Sequence, residues 1–346
     1  MKICLATRCF DFRNAGLGRV SSEIRKELEL RGYEPYCISS NPDMGMSLYS
    51  YFWYTAWKIR RQLPKDSDVY HALTPMEAIW TPKEKTIVTF HDLFTLTDAD
   101  KVGGGLGYSS VKRKFGSWYF NQACKKAMQS RYIACVSEKT KQEIYSIFEL
   151  PEDKIRVIRS GISPNLEPQP KPDNIFRVGY LGGLDRRKRV NFLIDAFKQS
   201  GIDGELVIGG IGLDERMLKA QANGNKRIKF LGLVPDEQLP SFYNSLSVFV
   251  FPSSIEGYGL PIIEAMACKK PVIVMTDAKI PEEIKSRCYC TDNAESLLNL
   301  QKLSSVMDTH SVFDLVIEDN YFFAKEHSWK SCVDEYIKLY EEIANE

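Results

Sequence analysis

The sequence predicts an α/β protein made of two Rossmann-like halves with parallel sheets, and three observations carry that prediction. Short apolar runs alternate with segments of helical period along nearly the whole chain, which is the rhythm of parallel βαβ units. The rhythm breaks at SPNLEPQPKPDN (163–174), four prolines in twelve residues, and then restarts. At 346 residues the chain exceeds one ordinary core, since a domain holds roughly 100–200 residues.

In chain order, KICLAT reads as the first strand and RCFDFRNAGLG as the loop after it. Val20, Ile24 and Leu28 then recur at i, i+4 and i+8 as a buried helical stripe, and Gly32 ends it as a C-terminal glycine does. PYCIS (35–39), DVYHAL (68–73), TIVTFHD (86–92) and RYIACVS (131–137) are further strands; the last leads into the helical EKTKQEIYSIF, and IRVIRSGI (155–162) closes the first sheet. Past the proline-rich linker come FRVGYLGGL, the helical VNFLIDAFKQSG, and the strands ELVIGG, RIKFLGLV, SVFVFP and PVIVM. The expected divisions are a first half at 1–165, a second at 166–325 and a terminal segment at 326–346, whose Trp329, Val333, Tyr336 and Tyr340 share one helical face. In such pairs ligands bind in the cleft outside the carboxyl ends of the strands.

Hydrophobic residues at 44% and charged residues at 26% match an ordinary soluble protein. Nine cysteines are scattered without a C-x-x-C pair or histidines at metal spacing, so a reduced, cytoplasmic compartment is expected. Those in KICLA and YIACV read as small core hydrophobes. MKICLATRCF has no apolar core of signal-peptide type, and no window approaches a membrane span. The net charge of +1 divides unevenly: residues 1–165 hold 25 Lys/Arg against 18 Asp/Glu (+7), and residues 166–346 hold 21 against 27 (−6). A basic front half suits anionic lipid or an anionic acceptor; ordinary scatter over two solvated surfaces suits it equally. SLYSYFWYTAWKIRRQL (47–63) sets six aromatic residues before three basic ones, and VKRKFGSWYFNQACKKAMQSR (111–131) is similar in character. Each reads either as a surface-lying helix in peripheral contact with a membrane or as a core helix with a basic outer face.

The densest chemistry lies in SSIEGYGLPIIEAMACKKPVI (253–273). SVFVFP precedes it as a buried strand, so SSIEGYGLP is the strand-end loop and Pro261 suits the first turn of the helix IIEAMACK. Strand end, glycine loop and helix N-terminus together make a phosphate site, because the N–H groups of the first turn point at the ligand. Glu264, expected in that turn, can accept hydrogen bonds from two vicinal hydroxyls, as on a ribose. Glu256, eight residues earlier, can face the other end of the same ligand.

This stretch resembles the signature of the retaining glycosyltransferases of family 4, whose two-domain fold, GT-B, sets parallel sheets about a central cleft. Their E-x7-E pattern, E-G-x-G-L-P-x-x-E-A-M-A-x-G-x-P-V, is matched from Glu256 to Val272 except that Lys269 or Lys270 stands where glycine is usual. The resemblance implies that Glu264 holds the donor ribose, that Glu256 contacts the transferred sugar, and that the backbone around Gly257, Tyr258, Gly259 and Leu260 serves the diphosphate or the sugar. YLGGLDRRKRVNFLIDAF is similar to the family's G-R-L-x-x-x-K-G-x-x-x-L-I-x-A-F segment. Lys188 falls on its diphosphate-binding lysine, whose cation would neutralise charge on the leaving group. Gly183 stands where an arginine is usual; Arg187, directly before the lysine, fits a variant of the pattern, and Arg186 and Arg189 are further candidates. NAGLGRVSSEI is similar to the family's N-terminal glycine loop, in which Gly16 and Gly18 would let backbone approach donor phosphates or acceptor, with Arg19 supporting the loop. TFHDLF puts His91 at a strand end, where the family often has H-D near the transferred sugar; the plain alternative is a satisfied loop histidine. His71 is expected to pack or to position neighbouring backbone.

The resemblance thins at 40–65 and 93–130, which are expected to determine the acceptor, and in relatives the last helix crosses back to the first domain. It implies a retaining hexosyltransferase that moves a sugar from GDP-mannose or a UDP-sugar to a glycan, glycolipid or lipid-linked acceptor at the cytoplasmic side. No cofactor, metal or nucleic acid is expected, and DAD at 98–100 is a D-x-D triplet outside a metal-site context. The HDLF and RRKR segments tilt the donor toward GDP-mannose. Two other classes stay open: an inactive nucleotide-sugar-binding subunit, which the missing arginine at 183 keeps alive, and a sugar-nucleotide epimerase, against which Glu256, Glu264 and Lys188 speak.

Overall fold

The computed structural model describes residues 1–10, 15–39, 53–97, 110–292 and 310–346. The chain divides into two compact units: one holds the described residues up to Gly161 together with Trp329–Glu346, the other runs from Ile162 to Ser328.

In the first unit, β1 (Ile3–Thr7), β2 (Tyr36–Ser39), β3 (Val69–Ala72), β4 (Thr86–Phe90), β5 (Tyr132–Cys135) and β6 (Ile155–Val157) form one sheet in the order β2-β1-β3-β4-β5-β6, paired parallel throughout. β1, β3, β4 and β5 are buried along their whole length. A parallel sheet covered on both faces demands unbroken apolar runs, and these are the runs that announced the strands. α1 (Ala15–Leu30) buries Val20, Ile24 and Leu28 as its spacing requires. It begins earlier than expected, however, so Gly16 and Gly18 lie in its first turn and not in a loop before it. The first four N–H groups of a helix need no intrahelical partner, so glycine there costs little of the ladder. α2 (Ser110–Ala127) and α3 (Glu138–Phe148) follow, the latter capped by Ser137 Oγ, which accepts from Thr140 N at 3.2 Å.

The C-terminal helix, Trp329–Ala344, belongs to this unit and buries Trp329, Val333, Tyr336 and Tyr340, with Cys332, Leu339 and Ile343 widening the face. Arg31, directly after α1, clamps it from outside, donating to Asp334 Oδ1 at 3.0 and 2.8 Å and to Lys330 O at 3.0 Å. Inside, His71 of β3 meets Tyr340 OH through Nδ1 (2.6 Å) and Thr89 Oγ1 through Nε2 (2.8 Å), and Thr89 meets Tyr336 OH (2.9 Å). His71 thus packs in the core, its ring 4.5 Å from that of Tyr336, and positions a helix side chain and not neighbouring backbone.

In the second unit, β7 (Phe176–Leu181), β8 (Gly204–Gly209), β9 (Ile228–Gly232), β10 (Val248–Phe251), β11 (Val272–Met275) and β12 (Tyr289–Thr291) form a parallel sheet in the order β12-β11-β10-β7-β8-β9. Chain order reverses between β7 and β10, the point where α/β sheets bind ligands. The longer helices are α4 (Val190–Gln199), α5 (Glu215–Ala222), α6 (Leu239–Ser245), α7 (Leu260–Ala267) and α8 (His310–Lys325). β12 escaped the sequence reading because a three-residue, half-exposed edge strand carries no apolar run. The proline-rich segment is packed on this unit and not a free linker: Leu166 is buried, Gln169 N donates to Asn244 Oδ1 at 2.8 Å, and Asn244 Nδ2 donates to Glu167 O at 2.9 Å. Among the described residues, no helix is long and apolar enough to cross a membrane.

Candidate functional site

The two loops at the reversal point are laced together by backbone. β7 runs through Gly182 and Gly183 into a single 3-10 turn, Arg186–Lys188, whose preceding Asp185 accepts from Arg187 N at 3.2 Å. β10 runs into loop 252–259, where Ser254 donates to Arg187 O from N (2.8 Å) and Oγ (3.0 Å). Arg187 Nη1 returns a bond to Ile255 O at 2.9 Å.

That lacing brings three of the expected residues together. Lys188 Nζ donates to Glu256 Oε1 at 2.5 Å and Arg187 Nη1 lies 3.4 Å from the same oxygen. The Lys188 and Glu256 side chains are 8% and 11% exposed, so the pair is nearly dry. Burial pushes the Glu256 carboxyl up, but Lys188 and Arg187 together overcome it and hold its pKa below the usual carboxylate range. Burial lowers the Lys188 ammonium, with Glu256 opposing. The attraction of two cations keeps the carboxylate ionised, and Asp185, more exposed, lies 3.5 Å from Arg187 on its other side. Lys188 also stands 5.0 Å over the Phe251 ring, which stacks on Tyr180. Tyr180 OH donates to Gly183 O at 2.8 Å, so the position where an arginine is usual has its carbonyl tied down by a tyrosine.

Glu264 is placed differently from the expectation. Gly259, at φ +109°, caps α7, which starts at Leu260 with Pro261 second; Glu264 is therefore the fifth residue, one turn in. The residue is 1% exposed, and its carboxylate accepts from Tyr243 OH at 2.7 Å. Helical side chains lean toward the N-terminus, so it still leans toward the loop. Gly257, Tyr258 and Gly259 are buried and Leu260 half-buried, and the loop is pinned by Glu256 N donating to Lys279 O and Lys279 N to Ser254 O.

Two cations occupy places where the family pattern has glycine, and both take glycine's conformation. Of the two lysines after α7, Lys269 is the one at φ +53°; Lys269 N donates to Met266 O and Lys270 N to Ala265 O, closing the helix as a Schellman turn. Arg189, after Lys188, is also at φ +53° and its guanidinium grips Asp277 at 2.7 and 2.8 Å. Arg186 is exposed. Neither Arg186 nor Arg189 joins Glu256.

His91 follows β4 in the first unit and is half-buried. Its Nε2 donates to Leu73 O at 3.0 Å; a carbonyl only accepts, so Nδ1 is the acceptor nitrogen. Burial takes its pKa down to about 4, with the Leu73 carbonyl opposing, and the ring is neutral near pH 7. Gly16 is exposed with nothing within 4 Å of the place a Cβ would take, and Gly18 is buried. Tyr243, Phe251 and Ser254 were missed by the sequence reading, since each lies in an ordinary apolar or polar run that carries no motif. Among the described residues no three His, Cys, Asp or Glu side chains cluster as metal ligands; the triplet Asp98-Ala99-Asp100 lies outside them, as does 47–52 of the first aromatic-basic stretch.

Two α/β units with parallel sheets, one bearing a cation–carboxylate cluster at its strand reversal, are the GT-B class of protein, and solved structures share the fold. Sucrose-phosphate synthase from Thermosynechococcus elongatus superposes with a TM-score of 0.76 at 15% identity, covering 99% of each chain. The Anabaena protein HepE, solved with UDP and glucose, gives 0.73 at 17% identity, covering 98% of this chain and 99% of its own. Residues 15–166 match the family described as Glycosyltransferase Family 4, and residues 163–295 match Glycosyl transferases group 1. The chain belongs to these glycosyltransferases. Among its relatives, the O-antigen chain mannosyltransferase B of Escherichia coli is 25% identical, with 98% of this chain and 99% of the relative covered.

Proposed function

We propose that this glycosyltransferase moves a hexose from a nucleotide-diphosphate sugar to a glycan, glycolipid or lipid-linked acceptor, with retention and without a metal or other cofactor. The buried Lys188–Glu256–Arg187 cluster carries the reading. When the bond from the anomeric carbon to the diphosphate breaks, negative charge gathers on the departing oxygen; a preorganised cation in a dry site stabilises that charge without reorganising. Lys188 and Arg187 are those cations, and the first-turn amides of α7 add to them. Glu256 takes hydroxyls of the sugar, and Glu264, steadied by Tyr243, takes the ribose. The acceptor oxygen bonds to the anomeric carbon on the face the diphosphate leaves, and the acceptor's proton passes to the departing phosphate. Neutral His91 orients the sugar. GDP-mannose is the donor placed first, on the support of the mannosyltransferase relative; a UDP-sugar is second, on the support of the neighbour solved with UDP and glucose.

The test is a thermal-shift series of the purified chain against UDP, GDP, ADP and their sugar conjugates, with and without EDTA, followed by NMR of the anomeric proton of the product. Selective stabilisation that survives EDTA, and a product of the donor's anomeric configuration, are expected. No response to any nucleotide, a response that EDTA abolishes, or an inverted product overturns the respective part of the reading.

A further inference from the structure

Four of the five tryptophans gather on one surface of the first unit. Trp53 and Trp57 are 52% and 62% exposed with ring centroids 5.6 Å apart, and Phe115 and Trp118, at 51% and 56%, stack at 5.8 Å. The two pairs stand on one platform. Thr55, between the first two, meets Tyr119 OH at 3.1 Å beside Trp118, and its carbonyl accepts from Trp80 Nε1 at 3.0 Å. Arg60 and Lys126 lie over the Trp80 ring at 5.1 and 5.0 Å, tying the segment 53–62 and α2 to its face. Scattered exposed aromatics are ordinary on a protein surface, but a connected group of this size marks an interaction site.

The charge carried by the two segments is of one sign. Residues 53–62 contain Lys58, Arg60 and Arg61, and residues 110–127 contain five Lys/Arg, without one Asp or Glu in either segment. Lys58, Arg60, Arg61, Lys125 and Lys126 are all exposed. Protein interfaces are enriched in Trp and Arg but depleted in Lys, whereas indoles ringed by Lys and Arg are the composition of a helix lying in a bilayer surface. Such a surface complements anionic headgroups, which attract each basic residue near them.

We propose that this surface seats on a bilayer containing anionic phospholipid, with Trp53, Trp57, Phe115 and Trp118 at the headgroup–acyl boundary and the basic residues among the headgroups. The fifth tryptophan, Trp329, is buried, so a change in indole emission reports the patch itself. The full chain is mixed with vesicles of phosphatidylcholine alone or with about 30% phosphatidylglycerol, and followed by co-sedimentation and by Trp emission. Association with the anionic vesicles only, a blue shift, and loss of binding as salt rises to about 0.5 M are expected. Trp57→Ser with Trp118→Ser, and separately Lys58→Gln with Arg61→Gln, should each weaken association roughly tenfold, with far-UV circular dichroism unchanged. Absence of vesicle binding at about 50 mM salt, equal binding to neutral vesicles, or binding that survives both variants overturns the proposal. Self-association that the tryptophan variant abolishes, without vesicle binding, assigns the surface to a second copy of the chain and overturns it equally.

Discussion

The two units carry the same number of parallel strands yet furnish the carboxyl ends of those strands in opposite ways. The second unit presents charge: Lys188, Arg187 and Glu256 are packed against one another, and Glu264 is held by Tyr243. At the end of β4 the first presents a neutral imidazole, His91, its pKa driven by burial down to about 4; a second neutral imidazole, His71, driven to about 3, is buried in the core inside β3. Fixed charge in a dry site serves a step in which charge develops; a neutral ring with one donor and one acceptor nitrogen serves orientation. Under the proposed function, the second unit would serve the departure of the leaving group and the first the arrangement of groups.

The widest separation between them should appear in turnover. Lys188→Ala removes the cation and leaves Glu256 with Arg187 alone, and should lower kcat by roughly 10²–10³-fold, the range for a lost preorganised donor. His91→Ala should cost less, because a neutral group is lost. Turnover with the best donor, measured for both variants, breaks the assignment if the histidine substitution proves the more damaging.

Acid should strike the first unit. A histidine whose folded pKa lies far below 6.5 is buried neutral, while the unfolded chain takes up a proton below pH 6.5. Stability is therefore complete above that pH and falls as the pH drops toward 4, by about 1.4 kcal/mol per pH unit for each histidine. At pH 5 that is roughly 2 kcal/mol for His71 alone. All five tryptophans belong to the first unit, so urea unfolding followed by Trp emission reports it selectively. His71→Gln should flatten the decline between pH 7 and 5 by about half, since His91 remains. An unchanged slope would place the acid sensitivity elsewhere.

Donor binding sharpens the charged side of the contrast. Glu264→Ala should weaken nucleotide affinity about 10-fold or more, as charge-assisted bonds to a ribose contribute roughly 1.5–3 kcal/mol each. Tyr243→Phe, which removes only the steadying hydroxyl, should cost less, on the order of threefold. Calorimetric titration of both variants distinguishes a ligand-holding Glu264 from a structural one: in the second case Tyr243→Phe lowers stability and affinity is untouched.

The same contrast governs what the sequence could reveal. Parallel strands buried on both faces print as apolar runs, so β1 and β3 to β5 were plain, whereas β12, short and half-exposed, was silent. The charged cluster was legible because its members fall in two short segments, 182–189 and 253–264, whose glycines and carboxylates form patterns at fixed spacing. The polar network under the C-terminal helix joins positions 71, 89, 336 and 340, and no local spacing records a contact made across more than two hundred residues. Tyr243 was hidden for the same reason: a tyrosine in an apolar run looks like core until Glu264 is seen to receive its hydroxyl. The true start of α1 was misplaced because glycine is normally read as loop, while a first turn tolerates it.

The smallest expected effect concerns the two cations in glycine's conformation. A side chain at φ near +53° meets a steric penalty of about 1 kcal/mol that glycine escapes. Arg189 and Lys269 offset it through ion pairs with Asp277 and Glu318, whose side chains are 63% and 46% exposed; pairs in such contact with water contribute about 0–1 kcal/mol. Arg189→Gly and Lys269→Gly should therefore stabilise the second unit by up to roughly 0.5–1 kcal/mol. Asn223, at φ +49° after α5, should gain less from the same change because asparagine tolerates that region. Tryptophan emission is blind to this unit, so far-UV circular dichroism in urea is the measurement. If either cation-to-glycine variant proves less stable than the parent, its ion pair outweighs the strain, and the lysine or arginine holds its loop by charge where the family pattern holds it by the shape of glycine.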